Sequence, residues 1–532
     1  MTTATNRAQQ ADSSSPARAT RAGAWLIAGA SVALSLVQQC AVTDEVFFSG
    51  DAGLKALMAR QWTRGDVGPQ LNLQAAPWVE QLWNDGLYPF APPFVFARSG
   101  EHLLAFPLAF IALSSPLYAW LGWRGLYVLP LLSLWLAWWA FWKLTDRLAL
   151  SGAARMLSLA GLGLASFLTP YGSMVWEHAP AVALCVLGAV IALRPDESEP
   201  VYARDIAAGV LWGAALWLRL ESVCFVAAGL LALRWLGVAP RRWLAMVSGV
   251  AIAGISLLVL NLALYGRPLG LHGEQTWDTS EAAIWSMSPG VLLAMMGGEL
   301  LMRTPVMWLV LLSLALGLLT VRMRPNRREL VIGGWAVVTC VVTASVVPND
   351  GGMQLGPRYL LPALPLIWLW VGLVWDRLAL PHVLSRVARA ALLVAVLLGV
   401  LSNSLGSTGL LRMNYASRVL PLLQSLRERG DRLVVVTHQY MVHDLESLMD
   451  ERAFVWVHDD SQLLHACELA AEHGIRSFPV LAFSGDKSWL KPRIASSACA
   501  LELTALGPRG QYALFEARNS ARALTASAQP TR

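Results

Sequence analysis

The chain has 532 residues, of which 56% are hydrophobic and only 14% charged, against about a quarter charged in ordinary soluble domains. Its apolar residues fall in blocks of roughly 15–22 separated by short Arg-rich or Pro/Gly-rich joints, the pattern of membrane-spanning helices and not of a soluble core. The net charge of +6 resides in those joints, so it reads as membrane topology and argues against nucleic acid as a partner.

Residues 1–21 are a basic tail ending in Arg18 and Arg21, expected in the cytoplasm. The first block, Ala22 to Val42, is longer than a secretory h-region and lacks a small-x-small cleavage site, so it is read as a retained helix. Cys40 follows Val37-Gln38-Gln39, a poor lipoprotein signal, and is read as a membrane-core thiol. The connection from about Thr43 to Glu101 is the largest in the chain and carries Asp44, Glu45, Asp51, Asp66, Glu80, Asp85 and Glu101.

Further spans are expected at about 126–142, 156–175, 179–193, 206–218, 223–238, 243–264, 305–320, 330–347, 360–375 and 390–405. The positive-inside bias holds for them. Inside joints carry Lys143, Arg147 and Arg155, then Arg194 and Arg204, Arg241 and Arg242, Arg322 to Arg328, and Arg377 to Arg389. Segments 103–121, with Pro107 and Pro116, and 291–301, running into Glu299, are read as juxtamembrane or re-entrant. Several of the 24 Trp sit at block ends (Trp123, Trp142, Trp176, Trp243, Trp308) and are read as interfacial anchors.

From about Leu411 the pattern becomes soluble. "RLVVVTH", "AFVWV", "PVLAFSG" and "QYALFEA" read as strands and "SQLLHACELAAEHG" as a helix. The fold class expected is an all-α polytopic membrane bundle of about eleven transmembrane helices, up to thirteen, with a large first extracytoplasmic loop and a small C-terminal α/β soluble domain. Its divisions are a cytoplasmic tail at 1–21, a membrane domain at 22–410 and an extracytoplasmic domain at 411–532 with a disordered end. An odd number of spans puts that last domain outside, beside the acidic loop, the loop at 266–290 and "PNDGGMQLGPRYLLP" from Pro348. In an oxidising compartment Cys467 and Cys499 either pair or remain two buried thiols.

"SGDAGLKALMARQWTRGD" reads as an amphipathic helix with Asp51 in its first turn and Lys55 one turn later on the same face. Helix capping accounts for Asp51 without chemistry; the alternative is a fixed carboxylate facing the membrane surface. A first span followed at once by an Asp/Glu motif in a long outer loop, a helix closing on Gly65-Asp66, many further spans and an outer C-terminal domain resembles the GT-C class of glycosyltransferases. That class includes protein O-mannosyltransferases and the aminoarabinose transferases of lipid A. "TDEVFF" resembles the Asp-Glu motif of those groups, whereas counting back from Gly65-Asp66 places the acid nearer Asp51, seven residues on. "GPRYLLP" at Gly356 resembles a Gly-Pro-Arg-Tyr/Phe-Leu-x-Pro segment of such proteins. There Arg358 would bring a permanent cation to phosphate depth at a helix N-terminus, unless it is only a snorkelling interfacial Arg.

What the resemblance implies is an inverting glycosyltransferase with a polyprenyl-phosphate sugar as donor and a glycan, lipid or protein as acceptor. It implies multi-pass residence in the cytoplasmic membrane, among membrane lipids, with chemistry at the outer face. Asp51, then Asp44 and Glu45, are the candidates for general base. Arg358, Tyr359 and Lys55 are the candidates for the donor phosphate, and Glu101, His102, Glu177, His178, Arg219 and Glu221 for lining the cleft. Arg219 and Glu221 are equally well explained as a structural ion pair. The resemblance allows a divalent cation without demanding one; "VTHQYMVHDLE" and "VHDD" are ligand-rich, but surfaces carry such residues routinely. The rival reading is a transporter or flippase, which would show internal repeats and midplane charges. A second rival is a non-catalytic membrane scaffold.

Overall fold

The computed structural model describes residues 2–195, 202–271, 273, 289–319, 324–347, 355–379, 383–485, 491, 493–495 and 499–519. Most of the expected outer loop at 266–290, the segment 348–354, Arg322 and the expected disordered end from 520 lie outside these residues. The chain forms two compact units, Met1–Cys40 with Tyr127–Gly409, and Ala41–Leu126 with Leu410–Arg532. The sequence places the first outer loop within a membrane domain at 22–410; in the structure that loop belongs to the same compact unit as the C-terminal segment.

The first unit is helical. A helix occupies each of the eleven apolar segments expected to span, beginning with Thr2–Gln39. Among the described residues six helices are long and apolar enough to cross a membrane by length and composition. There are seven if Ala294–Arg303 and Val306–Gly317, bent 104° against each other, count as one span. Gly152–Leu164, His178–Ala192 and Ser222–Leu236 are apolar but shorter, so length alone does not bear out the count of about eleven. The reason is local: apolar residues run on from Ala165 to Met174, but the backbone turns into a 3-10 segment, Thr169–Ser173, around Pro170. Segment 103–121 is no single helix either, since it opens in a strand, Glu101–Leu104, before the helix Leu108–Leu121.

At the centre of this unit lies Leu364–Arg377, whose residues from Leu364 to Val374 are all buried, as befits a helix apolar on every side. Glycines receive its indoles: Gly161 lies against Trp368 with no room for a Cβ, and Gly333 against Trp370. Gly209 and Gly249 likewise let helices Tyr202–Leu218 and Pro240–Tyr265 meet backbone to backbone, the small-residue packing of membrane helices. The joints read as basic in the sequence also carry ion pairs. Asp205, fully buried, accepts from Arg194 Nη2 at 3.1 Å and Arg242 Nε at 3.3 Å, and Arg377 meets Glu329 with Nε and Nη2, each at 2.9 Å. Trp176 is no interfacial anchor in this unit: it is 1% exposed, packed among Tyr171 and His178.

The second unit combines a helix, Gly50–Thr63, a hairpin of β1 (Val95–Arg98) and β2 (Glu101–Leu104), and a six-stranded sheet. The sheet strands are β3 (Leu433–Val436), β4 (Ala453–Trp456), β5 (Ser477–Phe483), β6 (Arg493–Ala495), β7 (Ala500–Arg509) and β8 (Tyr512–Asn519), in the order β4-β3-β5-β8-β7-β6. Strand β3 is parallel to β4 and β5, and β8 is antiparallel to β5 and β7. The four expected strands and the expected helix, Asp460–Glu472, are present; β6 and β7 are additional. Cys467 and Cys499 form a disulfide, which resolves that alternative. The Gly50–Thr63 helix is buried from Ala52 to Gln61, and its C-terminal turn adds Arg60, which reaches Glu446 and Asp450, each at 3.2 Å, and Arg64, which reaches Asp450 at 2.5 Å.

Candidate functional site

The candidate residues separate into two clusters, one in each unit. In the first unit the structure gathers Glu177, Arg219, Glu221, Arg358, Tyr359 and His178. Glu177 and Glu221 precede the helices His178–Ala192 and Ser222–Leu236, where the positive end of the helix dipole favours a carboxylate. Arg219 Nη1 lies 2.8 Å from Glu177 and Nη2 2.5 Å from Glu221. The expected Arg219–Glu221 pair is thus one half of a triad.

The Arg219 guanidinium also covers the Tyr359 ring at 5.4 Å, and Arg358 covers Trp176 at 5.0 Å and Tyr359 at 5.4 Å. Tyr359 therefore lies against both guanidinium groups. His178 packs on Trp176 and Tyr171, 5.4 and 5.5 Å between ring centroids. The Tyr171 hydroxyl donates to the Gly356 carbonyl at 3.4 Å, tying that ring cluster to the Gly-Pro-Arg-Tyr segment. One expectation is corrected. Arg358 opens not an α-helix but a six-residue 3-10 turn, Arg358–Ala363, with the α-helix starting at Leu364; Pro362 disfavours α geometry in the residue before it. Its guanidinium is half-buried on the faces of Trp176 and Tyr359, not at the N-terminus of an α-helix.

The second unit holds the other six. Asp44 is exposed and bridged by Arg124 Nε at 2.6 Å; Glu45, in the left-handed region at φ 64°, pairs with Arg427. Asp51 is half-buried in the first turn of Gly50–Thr63. Lys55 is 2% exposed, with Nζ 4.7 Å above Phe106 and 5.8 Å from Phe110, so it is a buried cation on aromatic faces and not a surface one. Glu101 and His102 open strand β2; Glu101 accepts from Gln70 at 3.3 Å, and His102 stacks on Tyr88 with centroids 3.5 Å apart. Burial lowers the His102 imidazole below its ordinary range.

Sequence reading missed His443, which underlies the Asp51 turn. A Cβ on Gly50 would come within 2.7 Å of that of His443, and one on Gly53 would collide with the His443 carbonyl. Its ring lies 5.3 Å from Phe90 and 4.9 Å from Phe94. That burial pushes the imidazole down to about 3, with the Asp51 charge opposing the shift and His438 adding to it. No periodicity announces such a residue; the ligand-rich look of "VTHQYMVHDLE" was the one available sign. Among the described residues no group of three His, Cys, Asp or Glu is placed to hold a metal ion.

No family model and no curated protein matches the sequence. Among solved structures the chain is similar to ArnT from Cupriavidus metallidurans, bound to undecaprenyl phosphate and in the apo state. Both comparisons give a TM-score of 0.54 at 12% identity, covering 92% and 93% of this chain and 98% of the other. A weaker likeness, TM-score 0.45 at 11% identity, is to the oligosaccharyltransferase of Archaeoglobus fulgidus, over 86% of this chain and 69% of that one. The likeness to ArnT is one of fold, and it is the GT-C fold that the resemblance in sequence implied.

Two outcomes follow from this geometry. Arg219→Leu would leave Glu177 and Glu221 without their shared cation, expected to destabilise the protein by about 3–5 kcal/mol; an unchanged thermal midpoint in detergent would refute the triad. His443 binds a proton at its ordinary 6.5 when unfolded but only at about 3 when folded. Its contribution is therefore complete above the first value and lost as pH falls toward the second. Lowering the pH from 6.5 to 4 should thus depress the midpoint of the wild type more than that of His443→Phe.

Proposed function

We propose that this chain is a membrane glycosyltransferase that moves a sugar from a polyprenyl-phosphate donor to an acceptor hydroxyl at the outer face of the cytoplasmic membrane, with inversion. The observation that carries this reading is the seating of Arg358 on Trp176 and Tyr359, with Arg219 also against Tyr359, within a GT-C fold. A guanidinium held on aromatic faces recognises phosphate oxygens bidentately and stays charged. Arg358 is the cation assigned to the donor phosphate, with Tyr359, against which it lies, orienting it. The likeness to an ArnT structure that binds undecaprenyl phosphate supports the choice of lipid.

The chemistry then needs one base. Asp51 removes the acceptor proton as the hydroxyl oxygen attacks the anomeric carbon; the bond from that carbon to the phosphate oxygen breaks, and the polyprenyl phosphate leaves with the electron pair. Arg358 balances the charge that develops on the leaving phosphate. Asp44 and Glu45 are the alternative acids; Arg124 engages the first and Arg427 the second. The Cys467–Cys499 disulfide supports an oxidising, extracytoplasmic side for the second unit, with the N-terminus in the cytoplasm. The acceptor is a glycan, lipid or protein.

Asp51→Asn is expected to lower transfer of labelled sugar from the lipid fraction of native membranes by about 10²–10⁴, with expression and thermal midpoint retained. Full activity in Asp51→Asn with loss in Asp44→Asn would move the base to Asp44; activity in both would sink the mechanism. Arg358→Ala should weaken binding of undecaprenyl phosphate by roughly 10- to 100-fold, the worth of a charged hydrogen bond. Equal affinity in wild type and variant would remove Arg358 from the donor site.

A further inference from the structure

The start of the helix that bears Asp51 is poorly held by its own sequence. Ser49 at the N-cap accepts no capping hydrogen bond, Gly50 opens the first turn, and residues 46–49 belong to no strand or helix. An uncapped start with glycine in its first turn frays. Where that helix begins is therefore set by contacts from elsewhere in the chain.

One such contact is a side-chain bridge. Arg418 Nη2 donates to the carbonyls of Phe47 at 2.9 Å and Phe48 at 3.2 Å, the two residues just before Ser49. The same guanidinium meets Asp444 at 2.6 Å through Nη1 and 3.1 Å through Nη2. Asp444 also accepts from the Tyr512 hydroxyl and from Gln511 Nε2 at 3.3 Å, so strand β8 braces it. Gln511 N in turn donates to the Arg418 carbonyl at 3.1 Å. The neighbour of Asp444, His443, is the residue against which Gly50 and Gly53 close. The dipeptide His443–Asp444 therefore grips the Asp51 segment on both sides, through Arg418 ahead of it and through packing beneath it.

We propose that Arg418 and Asp444 are positioning residues for Asp51, and that aiming this carboxylate is a task of the C-terminal segment. This rests on the reading of Asp51 as general base. The bridge suits the task because it is electrically balanced, one cation against one anion, and nearly dry, with side chains 10% and 2% exposed. It holds backbone carbonyls, so it fixes where the helix begins without touching the reacting groups. A displacement of about 1 Å at a reacting group costs as much as 10²-fold in rate.

The test uses the full-length protein in detergent, with Arg418→Ala, Arg418→Lys and Asp444→Asn. Hydrogen exchange is followed over residues 46–53 and, as a control, over β3 and β8; sugar transfer is followed with the native lipid fraction as donor. Arg418→Ala should speed exchange over 46–53 by about tenfold or more while the sheet is unaffected, the mark of local and not global opening. It should lower kcat by about 10²-fold with KM for the acceptor unchanged, and Arg418→Lys should recover part of both losses. Asp51→Asn combined with Arg418→Ala should be no slower than Asp51→Asn alone. Unchanged exchange over 46–53, or an equal rise in β3 and β8, overturns the proposal, as does an unaltered kcat. An active Asp51→Asn enzyme overturns the base assignment instead, a failure that exchange over 46–53 does not share.

Discussion

Hydrocarbon offers no partner to a backbone N–H or C=O, and that constraint orders most of this molecule. It makes the long apolar segments helices and favours ionisable side chains at helix ends or in mutual pairs. Leu364–Arg377 shows the result: an apolar surface buried all round, received by glycines on neighbouring helices. Its last residue, Arg377, is met by Glu329 and by the Ser313 hydroxyl. Asp205 with Arg194 and Arg242, and Glu177 with Arg219 and Glu221, follow the same rule.

Those three networks are alike in electrostatics and differ in what surrounds them. The first two close helix ends with carboxylates, backbone carbonyls and a hydroxyl. Around Arg219 the two carboxylates are joined by a ring, Tyr359, which a second guanidinium, Arg358, also covers while lying over Trp176.

The acids of the long loop after the first helix divide by a similar logic. Asp44 and Glu45 are met by Arg124 and Arg427 at side chains still partly in water, contacts of small energetic worth. Asp51 stands at the head of a helix whose start is held through backbone carbonyls by Arg418. In the second unit the C-terminal segment is thus not a separate appendage to the loop. Gly50, Gly53, Arg60 and Arg64 all find their contacts in residues 443–450.

By itself the sequence determined the membrane character, the position of each apolar helix, the strands β3, β4, β5 and β8 and the triad's two nearest members, because period and local charge are written along the chain. It also pointed to Arg358, through a short motif. It did not determine how many helices are long enough to span, since an apolar run does not reveal where the backbone turns to 3-10 geometry at Thr169–Ser173. Nor did it determine that Trp176 lies beneath Arg358, that Lys55 is buried on Phe106, that Cys467 meets Cys499, or that Arg418, 371 residues from Phe47 along the chain, holds the turn before Asp51. Each of those is a contact between residues distant in sequence and without periodicity, so only the packing of the folded chain decides it.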